Sequence, residues 1–384
     1  MKKITILVLH LSTGGVEMAI TNLSNILAKK YEVEIISTYK INEKPAFKID
    51  DKVKIKYLIT DLKPNHKEIK DAIRSKKILK IIKEFFISLK VLYLRKKLMI
   101  KAIRNLDCDI AISTRYLHSN WLGKYGSNKI IKIAQEHNHH NNDKKYISKV
   151  INSLKNIDYF IPVSNELNNF YSDRLKNTKT KCLCIRNSLD IFPNETSNLV
   201  FKQIVSVGRL SKEKGFLDLI EVFSKVHLEY PDWKLSIAGD GQQLEVLKDK
   251  IKSLNLENNV NLLGFLNKEN LEKLYLNSSI YVMTSFTESF GLVLIEANSY
   301  GIPTISFDTA QGAKEIINND KNGYLIKNRD KQEMSNKIIE LIEDYEKRCE
   351  LGKNARMMSE MYKEENVASL WYNLIDNIPN IKED

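Results

Sequence analysis

Glu288 and Glu296 stand in the run Thr287-Glu288-Ser289-Phe290-Gly291-Leu292-Val293-Leu294-Ile295-Glu296-Ala297, two acids with seven residues between them. All but the first of those residues are apolar or Gly. Ser289 as a cap and the apolar run after it predict a helix from about Phe290, with Glu296 about two turns inside and Glu288 on the preceding loop. The carboxylates would then lie ~10 Å apart along the axis, well beyond the ~5–5.5 Å of a retaining hydrolase pair. A helix N-terminus turns free backbone N–H groups and a positive dipole end toward an anion. A phosphate held there leaves one acid for each of two flanking polyols. On an ordinary amphipathic helix the same two residues would be solvated glutamates, so the rest of the chain must decide.

A second constellation lies earlier. Gln203 to Val207 reads as a buried strand, followed by Gly208-Arg209-Leu210-Ser211-Lys212-Glu213-Lys214-Gly215. Such a strand-to-helix turn is the favoured ligand crevice of an open α/β sheet. Arg209 and Lys214 can converge there on one diphosphate, Arg with a fixed fork of donors and Lys with a mobile point charge. Trp233 to Ala238 reads as another strand, ending in the turn Gly239-Asp240-Gly241. Ile4 to Leu9 is a short buried strand before Ser12-Thr13-Gly14-Gly15-Val16-Glu17, whose glycines let backbone approach a phosphate.

In order and spacing, these marks resemble a retaining glycosyltransferase of family 4, of the bacterial cell-surface or capsular polysaccharide type. The resemblance covers essentially the whole chain and rests on Gly14-Gly15 with Glu17, His137-Asn138, Gly208-Arg209 with Lys214-Gly215, Gly239-Asp240-Gly241, and Glu288 with Glu296. It implies the α/β GT-B fold, two Rossmann-like domains facing across a cleft, with a C-terminal helix crossing back to the first. Residues 1–190 with the helix 366–384 would form the acceptor domain, and 191–365 the nucleotide-sugar domain.

The same resemblance implies a nucleotide-sugar donor, with a UDP-sugar expected, and a lipid-linked or surface-glycan acceptor. Transfer would retain the anomeric configuration. His137 would meet the transferred sugar, Glu288 its hydroxyls and Glu296 the ribose. Gly14, Gly208 and Gly241 would line the donor, and Gly15 would offer its N–H to the diphosphate. Arg209, Lys214 and the helix end at Ser289, Phe290, Gly291 and Leu292 would offset the charge that gathers on the leaving group. No metal or other cofactor is expected. Ser306 to Glu315 resembles the corresponding loop of polysaccharide-building members. Direct glycosylation of a membrane lipid and a covalent role for Glu288 stand as alternatives.

Two other classes fit less well. A nicotinamide-dependent oxidoreductase would need a third glycine and a ribose-binding acid that the 239–241 turn lacks. A membrane-surface binding protein on a degenerate transferase fold would not need Arg209, Lys214, Glu288 and Glu296 intact. The segment Glu136-His137-Asn138-His139-His140 superficially resembles a metal cluster. Neighbouring His residues on one short segment cannot all face one ion, and no separate acid at ligand spacing is visible, so no metal site is expected.

Composition agrees with a two-domain soluble protein: 384 residues, 43% hydrophobic and 28% charged. Cys108, Cys182, Cys184 and Cys349 form no CxxC pair and suit a reducing compartment. Met1-Lys2-Lys3 before Ile4 lacks the cleavage site of a secretory leader and reads as the approach to a first strand. No apolar segment approaches the ~20 residues of a spanning helix. The expectation is a cytoplasmic protein.

Strand, helix and strand recur twice, at Ile4–Leu9, Val16–Lys29 and Glu32–Ser37, and again at Ile204–Val207, Phe216–Glu229 and Lys234–Ala238. Two such starts argue for two α/β domains. Pro193 to Asn198 reads as the linker. Val367, Leu370, Trp371, Leu374, Ile375 and Ile378 form a terminal amphipathic stripe.

Charge is concentrated. Of a net +12, segment 63–104 carries most, with 14 Lys or Arg against Glu68, Asp71 and Glu84. Ile78, Leu79, Ile81, Ile82, Phe85, Phe86, Leu89, Leu92, Tyr93 and Leu94 interleave with these cations at helical spacing. A basic amphipathic helix of this kind is expected at an anionic membrane surface, here the inner face of the plasma membrane. The competing expectation is an insertion whose apolar face packs inward and whose basic face is solvated. No nucleic-acid-binding signature accompanies the charge.

Overall fold

The computed structural model describes residues 1–378. The chain divides into two compact units, Met1–Ser188 with the chain from Ala368 onward, and Leu189–Val367. The run 193–198, expected as a linker, is bonded into the second unit. Ser197 donates through its N–H to the Tyr300 carbonyl (2.9 Å) and through Oγ to that of Ser278 (2.7 Å). Arg356 donates to the Pro193 carbonyl (2.7 Å).

The strands of unit 1 are β1 (Lys3–Val8), β2 (Glu32–Tyr39), β3 (Lys54–Ile59), β4 (Ile110–Ser113), β5 (Ile131–Glu136), β6 (Tyr159–Pro162) and β7 (Lys181–Cys182). They form one parallel sheet in the order β3-β2-β1-β4-β5-β6-β7. Its helices are α1 (Gly15–Ala28), α2 (His66–Arg74), α3 (Ile78–Arg104), α4 (Tyr116–Tyr125), α5 (Lys144–Ser153) and α6 (Asn165–Leu175). A parallel sheet is covered on both faces, so its strands read as nearly unbroken apolar runs. In β1, Ile4, Ile6, Leu7 and Val8 are all buried.

Unit 2 repeats the plan with β8 (Gln203–Val207), β9 (Lys234–Ala238), β10 (Val260–Gly264), β11 (Ile280–Met283), β12 (Thr304–Phe307) and β13 (Gly323–Ile326). Their order is β10-β9-β8-β11-β12-β13, again parallel. Its helices are α7 (Phe216–Glu229), α8 (Leu244–Ser253), α9 (Lys268–Leu276), α10 (Leu292–Ser299), α11 (Ala313–Ile316), α12 (Lys331–Glu343) and α13 (Tyr345–Ser359). In each sheet one strand is flanked on both sides by later ones: β1 by β2 and β4, β8 by β9 and β11. The loops leaving such a strand and its neighbour part at the carboxyl edge and open a ligand crevice.

The final helix, α14 (Glu364–Asp376), docks mainly by its last turns. Trp371, Ile375 and Ile378 are buried, Tyr372 donates to the Ile26 carbonyl, and Lys30 and Tyr31 bond Asp376. Leu370, expected on the buried stripe, is instead 47% exposed. Residues 379–384 of the expected helix lie outside the described residues.

α3 carries two apolar faces. Val91, Met99 and Ile103 are buried on the inner one. Ile78, Leu79, Ile82, Phe85, Phe86, Leu89, Leu92 and Tyr93 are all exposed, by 44% to 85%. The competing expectation, an apolar face that packs inward, does not hold for these eight residues, although Leu94 packs beside Val91 and Ile81 is half-buried.

Candidate active site

In unit 2 the loop after β8 and the loop after β11 are stitched together by backbone. Gly215 adopts φ 66°, and a β-carbon there would fall 2.1 Å from the Thr284 carbonyl oxygen, so only glycine fits. Thr284 Oγ1 donates to the Gly215 carbonyl (2.9 Å), and the Phe286 N–H to that of Glu213 (2.8 Å). Arg329 fastens the same loop from β13's side. It donates to the carbonyls of Thr284 (2.9 Å) and Ser285 (3.0 Å), pairs with Asp218 on α7, and stacks on Phe286 and Phe307.

That stitching brings Lys214 to Glu288, with Nζ 2.5 Å from Oε2 and each side chain about one-fifth exposed. The Gly312 N–H donates to the Glu288 carbonyl (2.9 Å) and fixes its backbone. Gly208 lies against the Lys214 stem, whose carbons would meet a β-carbon there at 3.7 Å, an ordinary van der Waals contact. Arg209 is exposed beside this loop, and Gly241 packs on the Leu210 backbone.

α10 begins later than expected. Gly291 takes a left-handed conformation (φ 89°, ψ 47°), which ends the loop and makes it, not Ser289, the N-cap. No side chain caps the helix, so the first N–H groups, from Leu292 on, have no side-chain partner at that end. Phe290 is buried against Tyr362 and anchors the turn. Glu296 thus falls about one turn inside α10 rather than two. The residue as a whole is only partly covered, but protein surrounds its carboxyl and burial lifts it to about 7. Tyr275 OH donates to its Oε2 (3.1 Å), and Tyr275 is stacked on Tyr300.

In unit 1, Gly15 opens α1 and Gly14 precedes it in extended conformation. A β-carbon on Gly14 would strike Glu17 Oε2 at 2.2 Å, whereas nothing lies within 4 Å of one on Gly15. Gly14 therefore seats Glu17, and Gly15 faces open space. Glu17 is buried, accepts from Arg115 Nη2 (3.2 Å), and has His10 Nδ1 at 3.5 Å.

His137 follows β5 and is buried, and neither ring nitrogen has a hydrogen-bond partner. Burial and then the nearby Arg115 cation push it down to about 3, so it is neutral at physiological pH. Glu136 beside it is lifted to about 7 by burial, although it accepts from the Asn138 N–H (2.8 Å) and Tyr146 OH (3.0 Å).

The expected lack of an acid near the histidines is corrected. α6 brings Glu166 beside His139 and His140, with one ligand atom of each within 4.8 Å of the others. The N–H groups of Asn141 and Asn142 donate to Nδ1 of His139 and His140. His139 Nδ1 also lies 2.9 Å from Asn141 Oδ1 and its Nε2 3.1 Å from Glu166 Oε2, whereas His140 Nε2 stays 3.9 Å from Glu166 Oε1.

The expected residues thus gather at the carboxyl edges of the two sheets. Arg209, Lys214, Gly208, Gly241, Glu288–Leu292 and Glu296 do so in unit 2, and Gly14, Gly15 and His137 in unit 1. Arg329, Tyr275, Arg115 and Tyr146 were not singled out from sequence. Only Arg115 had a local signal, its place directly after a strand.

Residues 189–358, most of unit 2, match the family of glycosyl transferases group 1. Over 98% of its length the chain is 28% identical to the whole of an uncharacterized glycosyltransferase of Haemophilus influenzae. It is 25% identical, over 99% of its length, to the whole of a Campylobacter jejuni enzyme, GalNAc-alpha-(1->4)-GalNAc-alpha-(1->3)-diNAcBac-PP-undecaprenol alpha-1,4-N-acetyl-D-galactosaminyltransferase. Among solved structures, S. aureus TarM, crystallised with UDP, aligns over 98% of this chain and 100% of its own with a TM-score of 0.76 and 18% identity. The fold is GT-B, and the protein is a glycosyltransferase enzyme. It is akin to those of bacterial polysaccharide assembly.

With Glu296 lifted to about 7, its carboxylate form predominates only above that pH, and the resemblance implies that this form accepts the ribose hydroxyls. The KM for donor should fall about tenfold between about pH 6 and 8, and Glu296→Gln should flatten that dependence. Steady-state kinetics across this range check it, and an unchanged profile in the variant would contradict the role.

Proposed function

We propose that the protein transfers a sugar from a nucleotide-sugar, a UDP-sugar, to a lipid-linked glycan with retention of configuration and without a metal ion. The carrying observation is the convergence of Lys214, Glu288 and the uncapped N-terminus of α10, with Arg209 beside them. As the glycosidic C–O bond to the diphosphate breaks, its oxygens gain negative charge. Two cations and a helix end offset that charge most strongly in the transition state. The acceptor oxygen attacks on the face the diphosphate leaves, and the departing phosphate takes its proton. Glu288 binds hydroxyls of the transferred sugar and Glu296 the ribose, while Gly14, Gly15 and neutral His137 carry the roles the resemblance implies. The Campylobacter relative's undecaprenol-linked acceptor and the UDP held by TarM support this choice of acceptor and donor.

The outward face of α3 supports a place at an anionic membrane surface, the inner face of the plasma membrane, where such an acceptor resides. Eight exposed large apolar residues lie on one helix with Lys80, Lys83, Lys90, Lys96 and Lys97 exposed alongside them. Apolar side chains entering the interface, flanked by cations reaching headgroups, are the composition of an interfacial helix. No helix among the described residues is long and apolar enough to cross a membrane.

With a panel of UDP-sugars and an undecaprenyl-diphosphate-linked acceptor, transfer should persist in EDTA. Arg209→Ala should lower turnover by about two orders of magnitude, equivalent to roughly 2–4 kcal/mol of transition-state stabilisation. Activity lost in EDTA and restored by Mg²⁺ or Mn²⁺, or near-normal turnover of the variant, would contradict the mechanism.

The protein should sediment with phosphatidylglycerol vesicles. Salt should weaken that binding, since surface charge is screened over ~8 Å at physiological ionic strength. A salt-resistant remainder should persist and disappear in the Phe85→Ser, Phe86→Ser double variant. Binding equal on neutral vesicles, or indifferent to these substitutions, would favour a merely solvated helix.

A further inference from the structure

Lys214 and Glu288 are both assigned to the donor, yet in the structure they bond each other. Their backbones cannot drift apart to resolve this. Gly215 is locked against Thr284, the Phe286 N–H is tied to the Glu213 carbonyl, and the Gly312 N–H is tied to the Glu288 carbonyl. Only the side chains are free to change partner. With each about one-fifth exposed, the pair is sheltered enough to matter and open enough to be reached.

A diphosphate at the end of α10 would place its charge beside the Glu288 carboxylate. Two anions cannot share one ammonium and one helix end without repulsion. We propose that Lys214 is exchanged between Glu288 and the donor diphosphate, so that diphosphate binding releases Glu288 to accept hydrogen bonds from the sugar hydroxyls. This deepens the donor-site reading given above and rests on it. Its consequence is order: until a diphosphate takes Lys214, Glu288 is occupied and the sugar pocket lacks its acceptor. A free sugar is then a poor ligand, and nucleotide and sugar are read together.

The exchange makes an unusual demand on a sugar-binding residue, because removing its charge must strengthen nucleoside diphosphate binding. Calorimetric titration with UDP should show Glu288→Gln and Glu288→Ala binding about fivefold more tightly than the unsubstituted protein, the scale of one partly sheltered ion pair. Sugar transfer by both variants should fall. Lys214→Gln should bind UDP more weakly, and adding Glu288→Gln to it should bring no gain. Uridine, which has no phosphate, should bind all variants alike.

Unchanged or weaker UDP binding by both Glu288 variants would overturn the exchange while leaving the donor site standing. So would a gain that persists without Lys214, which would mean simple relief of repulsion. Failure of UDP, ADP and GDP alike to bind the unsubstituted protein would overturn the donor site and the exchange together.

Discussion

Gly215 lies so close to the Thr284 carbonyl that no β-carbon fits between them, and the proposed donor site of unit 2 follows from that approach. It holds the end of the β8 loop against the end of the β11 loop. Lys214 and Glu288, 74 residues apart in sequence, thereby come within one hydrogen bond. Arg329 reinforces the contact from a third loop by donating to both carbonyls of the 284–285 backbone, the second of which also accepts from Thr309 Oγ1. Gly291 then swings the chain into α10 and leaves the helix end uncapped beside Glu288. The helix dipole is in place before any substrate arrives, and Lys214 needs only a side-chain change of partner to join it, so little reorganisation stands between the resting site and stabilisation of a leaving group.

The two units use one device twice. In each, a central parallel strand has later strands on both sides, and the loops at its carboxyl edge part. Unit 2 lines that opening with Arg209 and Lys214. Unit 1 lines its own with Glu17, Arg115 and His137, of which His137 is held neutral by burial and the Arg115 cation. A neutral imidazole with two unpartnered nitrogens suits hydroxyl recognition better than charge pairing. The pair of cations is thus in unit 2, the unit proposed to bind the nucleotide.

Much of this was legible in sequence because parallel-sheet strands are continuous apolar runs and the site residues sit directly after them. α7 and β9 have the bounds expected from periodicity, Phe216–Glu229 and Lys234–Ala238. What escaped depends on contacts between distant segments. Arg329 and Tyr275 act on the site only through the tertiary fold, and Glu166 reaches the His139 loop from α6. The start of α10 was misplaced because Ser289 looks like a cap, while the left-handed turn at Gly291 delays the helix. In α3 apolar residues lie on nearly all sides, so period alone could not say which face the domain would keep. The fold buries Val91, Met99 and Ile103 and leaves Phe85 and Phe86 outside.

The central claim is that unit 2 holds a donor diphosphate between Arg209, Lys214 and the N-terminus of α10. A crystal structure of the protein with UDP tests it most directly. The account predicts the β-phosphate within hydrogen-bonding distance of Arg209, Lys214 and the Leu292 N–H, with the ribose hydroxyls on Glu296. A diphosphate bound away from α10, or held through a divalent ion without contact to Arg209 or Lys214, would contradict it.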